Sequence, residues 1–178
     1  VTADGGDYTV HVVVGIDGDG RLWLLDMWRE QASSDRWVEA FCDLVKKWKP
    51  FCWFPEDDAT WKASAGFVTA TMRRTKVFCR IEPLSAAGQD KPTKARPFQA
   101  KASMGEVHIP TGLMGDEVIA EYKKFPAGKH DDRVDCGAHI GRALDMAHPA
   151  IVPVIEKPTT PTDYRPEPHP HAEGSPWG

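Results

Sequence analysis

The apolar positions of this chain switch between two periods. Thr9–Ile16 (TVHVVVGI) is β-branched and almost continuously apolar, the pattern of a buried strand. Asp17-Gly18-Asp19-Gly20 is a hairpin turn signal, and residues 21–28 read as the return strand, so the chain is expected to open with an antiparallel β-hairpin. Trp37, Phe41, Leu44, Val45 and Trp48 then recur at helical spacing over residues 35–48. Ser33 and Ser34 can cap that helix, Lys46, Lys47 and Lys49 suit its C-terminal end, and Pro50 stops it. Residues 51–54 form a short apolar run, expected as a strand buried on both faces and ending at Pro55-Glu56-Asp57-Asp58. A helix over 60–72 and a strand over 77–81 follow. Residues 84–101 have no clear period and are expected as a loop stiffened by Pro92 and Pro97. A short strand over 106–110 and helices over Leu113–Lys124 and 131–147 complete the pattern.

An antiparallel pair followed by alternating strands and helices predicts an α/β fold, a mixed central sheet flanked by helices. The 178 residues suit one domain of ordinary size. Its expected extent is residues 1–148. Residues 149–178 hold eight of the fifteen prolines and few aliphatic side chains, and are expected as a disordered tail. His169-Pro170-His171 in that tail is too sparse for a metal site. No run of about 18 apolar residues occurs, so no membrane span and no membrane partner is expected. Cys42, Cys52, Cys79 and Cys136 form no C-x-x-C pair and read as buried free thiols of a reducing compartment.

The net charge of -4 does not announce a nucleic-acid partner, but its distribution is uneven. Between Arg73 and Lys101 there are eight cations (Arg73, Arg74, Lys76, Arg80, Lys91, Lys94, Arg96, Lys101) against Glu82 and Asp90. Such segregation suits a surface that meets phosphate, and equally a solvated basic loop. Two acidic features stand apart from it. Glu56 follows an apolar strand, and ligands in α/β sheets bind beyond strand ends. His130-Asp131-Asp132-Arg133-Val134-Asp135-Cys136 puts three carboxylates at a helix start. One helical turn brings Asp131 and Asp135, or Asp132 and Asp135, to one side. Crowded carboxylates call for a cation between them, although Asp is also favoured in any first helical turn.

Several of these motifs, in this order, resemble the nuclease domain of large terminase subunits from tailed bacteriophages. They are Gly6-Asp7-Tyr8-Thr9 before a strand, Asp17–Asp26 with Trp28-Arg29, Pro55-Glu56, Lys91–Pro97, Gly105–Pro110, and Phe125-Pro126 leading to His130–Asp135. The resemblance covers roughly residues 1–148 and implies a ribonuclease H-like sheet. It implies a metal-dependent endonuclease, cutting concatemeric double-stranded DNA with two Mg²⁺ or Mn²⁺ ions held by carboxylates. Carried over residue by residue, it assigns Glu56, Asp131, Asp132 and Asp135 to the metals, with Asp132 the first choice on the last helix. Asp7 is implied beside the site, with Asp4 as another candidate. Lys91, Lys94 and Arg96 would grip the DNA backbone, and His130 would serve near the metals or as a helix cap. The implied partners are the terminase ATPase domain, the small terminase subunit and the portal protein, in the bacterial host cytoplasm. No Gly-rich phosphate loop ending in Gly-Lys-Ser/Thr occurs, so the ATPase is not expected here. A chain that opens at Val1 is expected to be a fragment or excised domain that lacks most of the family's first strand and its acid, and so to be inactive alone or less stable than the intact domain. The alternatives are a resolvase- or transposase-type nuclease of the same fold, and a catalytically inactive DNA-binding or assembly fragment.

Overall fold

The computed structural model describes residues 8–85, 88, 91–125, 132–144 and 146. Asp4, Asp7, His130, Asp131 and residues 149–178 lie outside the described residues, as does the side chain of Lys91. The elements run β1 (Thr9–Ile16), β2 (Leu22–Glu30), α1 (Ser34–Trp48), β3 (Cys52–Trp53), α2 (Ala59–Thr75), β4 (Arg80–Ile81), α3 (Lys91–Ser103), β5 (Val107–His108), α4 (Leu113–Lys124) and α5 (Asp132–Ala143). The fold is mixed α/β.

The opening hairpin forms as the turn signal predicts. Asp17 accepts hydrogen bonds from the backbone N–H groups of Asp19 and Arg21 and from the Trp23 indole, and Gly20 takes a positive φ of 78°. β1 and β2 pair antiparallel from Thr9↔Glu30 to Ile16↔Leu22, with a bulge between Val13 and Val14. β5 adds to β2 in parallel, where Trp23 stacks on its register partner His108 at 4.0 Å.

The expected single sheet is divided. β1-β2-β5 is one sheet, and β3-β4 is a separate parallel pair. That pair runs on past its formal strands. Leu84 N–H donates to Pro55, Asp57 N–H donates to Leu84, and Glu56 bridges Leu84. Glu56 therefore sits at a strand end, as its place after the apolar run predicts.

Helices cover both faces. On one, α1 and α2 pack around Trp37, Val38, Phe41, Val45, Val68 and Met72, with Trp28 and Trp53 against them. Val38 and Val68 are fully buried, each worth about 1.5–3 kcal/mol of burial. On the other, Val12, Val14 and Met27 face Phe98, Val118, Tyr122 and Ile140 of α3, α4 and α5. Arg133 ties α4 to α5: its guanidinium bonds Glu121 at 2.7 Å and also Glu117, and its N–H donates to Glu121. Arg133 and Glu121 are both largely buried, so losing one partner costs about 3–5 kcal/mol.

Three expectations are corrected. Residues 91–101, expected within a loop, belong to α3, which runs from Lys91 to Ser103. Pro92 lies in the first turn, where its missing N–H costs nothing, and Pro97 is carried inside the helix. What holds α3 is close contact with α5 at two glycines. A methyl group at Gly141 would lie 3.1 Å from the Phe98 nitrogen, and one at Gly137 would lie 3.2 Å from the Phe98 ring. The second correction concerns β1 and β3. Both read as buried, yet β1 buries only His11, and Cys52 to Phe54 are half-buried with Phe51 76% exposed. Each strand has a partner on one edge alone among the described residues. Third, the four cysteines are free, as expected, but only Cys42 is buried; the other three are half-buried.

His11 is the buried polar group of the α1 face. It stacks on its cross-strand partner Trp28 at 5.3 Å, and its Nε2–H donates to the Trp37 carbonyl at 3.0 Å. Burial lowers its pKa from 6.5 to about 4. The unfolded chain takes up this proton near pH 6.5 and the folded chain not until about 4, so the neutral imidazole's contribution is intact above pH 6.5 and is lost as pH falls from there toward 4. Between pH 7 and pH 5 the wild type is expected to lose about 2 kcal/mol more than His11→Phe in urea denaturation. Equal losses in the two proteins would mean that His11 does not titrate in this way.

Candidate functional site

A cavity of about 530 Å³ lies between β1 and β3, roofed by α1 and floored by α5. Its apolar lining comes from Val12, Trp37, Phe41, Trp53, Ala138 and Ile140, among others. Glu56, Asp58, Lys94, Asp135, His139 and Arg142 also line it.

Local sequence explains how each polar group arrives. Glu56 is carried by the end of β3. Asp58 caps α2, accepting from the Trp61 N–H at 2.7 Å, so one member of the acidic turn is accounted for by helix capping. Lys94, on the second turn of α3, reaches Glu56 with a nitrogen–oxygen distance of 3.8 Å. Asp135 and His139 are four apart on α5 and point into the same cavity. The Nε2–H of His139 donates to the Phe54 carbonyl at 2.8 Å, two residues before Glu56. Burial lowers the pKa of His139, and the bond to Phe54 opposes that shift only in part.

The three described acids implied by the resemblance do not converge equally. Glu56 and Asp135 share the cavity. Asp132, the first choice, does not line it; its carboxylate binds Arg29 at 2.9 Å, and the Arg29 guanidinium lies 3.4 Å over the Tyr8 ring. Asp132 is thus engaged in a structural ion pair between α5 and β2. Asp7 and Asp131 lie outside the described residues, and so does His130.

The basic stretch is also dispersed. Arg73 and Arg74 close α2, Arg80 pairs with Glu82, and Lys101 bonds Glu106 and the Gly20 carbonyl. Lys94 faces Glu56, while Arg96 is exposed on α3. His139 is the site residue that the sequence reading passed over. Its signal was its place four residues after Asp135 on a predicted helix.

Carboxylate oxygens suit Mg²⁺ or Mn²⁺, and Glu56 and Asp135 provide two such side chains in one cavity. Among the described residues, however, no group of three or more His, Cys, Asp or Glu side chains could hold a metal ion. The described side chains alone do not make up a two-metal centre. No described helix is long and apolar enough to cross a membrane. No family model, curated protein or solved structure matches the chain.

The His139–Phe54 bond fixes the end of β3 on α5. Replacing His139 with Leu removes the donor and leaves the carbonyl without it, so stability should fall by about 1–2 kcal/mol in urea denaturation. No loss would mean that this bond does not anchor Glu56.

Proposed function

We infer that this chain is the nuclease part of a phage or prophage DNA-packaging terminase, with a ribonuclease H-like fold and a divalent-metal-dependent endonuclease activity on concatemeric double-stranded DNA. The observation that carries the reading is that Glu56, from a strand end, and Asp135, from the last helix, line one cavity. Carboxylate oxygens are the ligands that Mg²⁺ and Mn²⁺ take. Lys94 supplies one positive charge beside Glu56. The mixed α/β architecture and the order of the sequence motifs support the same reading.

In this reading Asp135 replaces Asp132 as the acid contributed by the last helix, because Asp132 is held by Arg29. Arg96 and Lys94 on α3 would meet the DNA backbone, which makes binding depend on salt. His139 positions the strand end that bears Glu56. A third carboxylate is needed to complete the metal site, and Asp7 and Asp131 are the candidates within the chain.

A second reading is favoured by the incomplete acid set among the described residues: a DNA-binding or assembly fragment without catalysis. Calorimetric titration with Mn²⁺ separates the two. The nuclease reading predicts saturable binding, weakened at least about tenfold, or roughly 1.4 kcal/mol, by Glu56→Gln and by Asp135→Asn. Exposed Glu39→Gln should change nothing. An absence of Mn²⁺ binding, or binding indifferent to both variants, contradicts the metal site. Salt-dependent duplex binding without metal binding supports the fragment reading instead.

A further inference from the structure

We propose that two matching basic-aromatic segments, at the starts of β3 and β4, form a binding surface for single-stranded nucleic acid. Bases stack on Phe51 and Phe78, and the cations beside them hold the phosphates.

The sequence repeats itself where each of the first two helices gives way to a strand. Residues 46–52 read KKWKPFC and residues 73–79 read RRTKVFC. Both have two cations, then Lys, Phe and Cys at the same offsets. The local structure repeats with them. α1 is capped by Lys49 and α2 by Lys76, with φ of 49° and 58°, and among the described residues no other non-glycine position has a positive φ. Each of these lysines donates its backbone N–H to the carbonyl four residues back, Val45 or Met72. Two residues further on, each chain segment presents a phenylalanine to solvent. Phe51 is 76% exposed and Phe78 66%.

The fold brings the two units to one end of the molecule. β3 and β4 pair in parallel, Cys52 against Arg80, so the residues leading into them lie side by side. The Cys79 thiol donates to the Pro50 carbonyl at 3.6 Å. At the helix ends, the Thr75 hydroxyl of α2 reaches the Cys42 sulfur of α1 at 4.0 Å. Val77 and Cys79 pack against the α1–α2 core, so Phe78 between them faces outward. Glu56 lies past the other end of β3, about 16 Å from Phe51 along an extended chain.

The surface is basic as well as aromatic. Residues 44–52 and 73–81 contain seven cations and no acid. Asp26 takes Lys47 and Glu82 takes Arg80. Lys46, Lys49, Arg73, Arg74 and Lys76 are exposed and form no ion pair among the described residues. The nearest acid on α1 is Asp43, one turn before Lys46. Such an excess favours an anionic partner.

The repeat selects which one. A nucleotide joins a flat base to a phosphate, and a strand repeats that pair; each segment here offers a flat ring with a lysine two positions before it. Neither segment exposes another large apolar side chain, so there is no continuous apolar face for a bilayer. The bases of a duplex are stacked and paired inside it, which leaves an unpaired strand as the form that can stack on the rings. The proposal does not rest on metal binding at Glu56 or on the nuclease reading.

Fluorescence anisotropy of the whole chain with a labelled oligothymidylate of about twelve nucleotides, in EDTA, tests it. Binding should be micromolar at low salt. The logarithm of the affinity should fall against that of salt with a slope of about −2 to −3.5, the signature of roughly three to five phosphate contacts on a single strand. Phe51→Ala combined with Phe78→Ala should weaken binding at least about tenfold and leave the slope unchanged. Lys49→Asn combined with Lys76→Asn should make the slope shallower by about 1.4, and Asn tolerates the left-handed cap. An abasic oligomer of the same length should bind at least about tenfold more weakly. Absence of binding overturns the proposal, as does a phenylalanine variant that binds like the wild type. A blunt duplex of the same length bound as tightly as the single strand also overturns it. Phosphatidylcholine vesicles with one third phosphatidylserine that capture the wild type but not the phenylalanine variant would name a membrane as the occupant and overturn it as well. With EDTA present, these outcomes are independent of the Mn²⁺ titration of Glu56 and Asp135.

Discussion

A β-strand carries hydrogen-bonding groups along both edges, and among the described residues β1 has a strand partner on only one of them. The rest of the structure is arranged around that imbalance. β2 takes one edge along the whole length of β1, while a cavity lies between β1 and β3, which among the described residues is likewise paired on one side only. Among the described residues the two half-sheets do not share a strand ladder. They are held in register by helices: α1 through His11, Trp37, Phe41 and Trp53, and α5 through His139 and the Phe54 carbonyl. The position of Glu56 follows from this arrangement, because it sits at the end of a half-sheet that α5 fastens in place.

Much of the fold was legible because its signals are local. The Asp-Gly-Asp-Gly turn, the aromatic stripe of α1 and the limits of α4 depend on residues within a few positions of one another, and each appears where the pattern puts it. α3 was not legible, because it has no apolar stripe of its own. It is held by Pro97 and Phe98 against Gly137 and Gly141, whose spacing of four is visible in the sequence but whose partner is not. The exposure of β1 and β3 was misjudged for a related reason. Their composition describes strands with neighbours on both sides, and among the described residues each has one.

The candidate site divides in the same way. Glu56 could be placed at a strand end because an acidic turn follows an apolar run. The choice among Asp131, Asp132 and Asp135 could not be made from helical spacing, which puts more than one of them on the same side. The choice between Asp132 and Asp135 turns on Arg29, 103 residues from Asp132 in sequence, which takes the Asp132 carboxylate and leaves Asp135 lining the cavity. Lys94 shows the converse. It was singled out as a phosphate contact, and the fold sets it beside Glu56.

β1 is an interior strand by composition and, among the described residues, an open edge by structure. Amide hydrogen exchange read residue by residue along Thr9–Val13, ahead of the bulge, tests it directly. In an antiparallel pair, alternate amides point toward the partner strand. Alternation is expected: amides directed at β2 protected, those between them exchanging rapidly. Uniform protection along β1 would mean that its outer edge is already paired, and would contradict it.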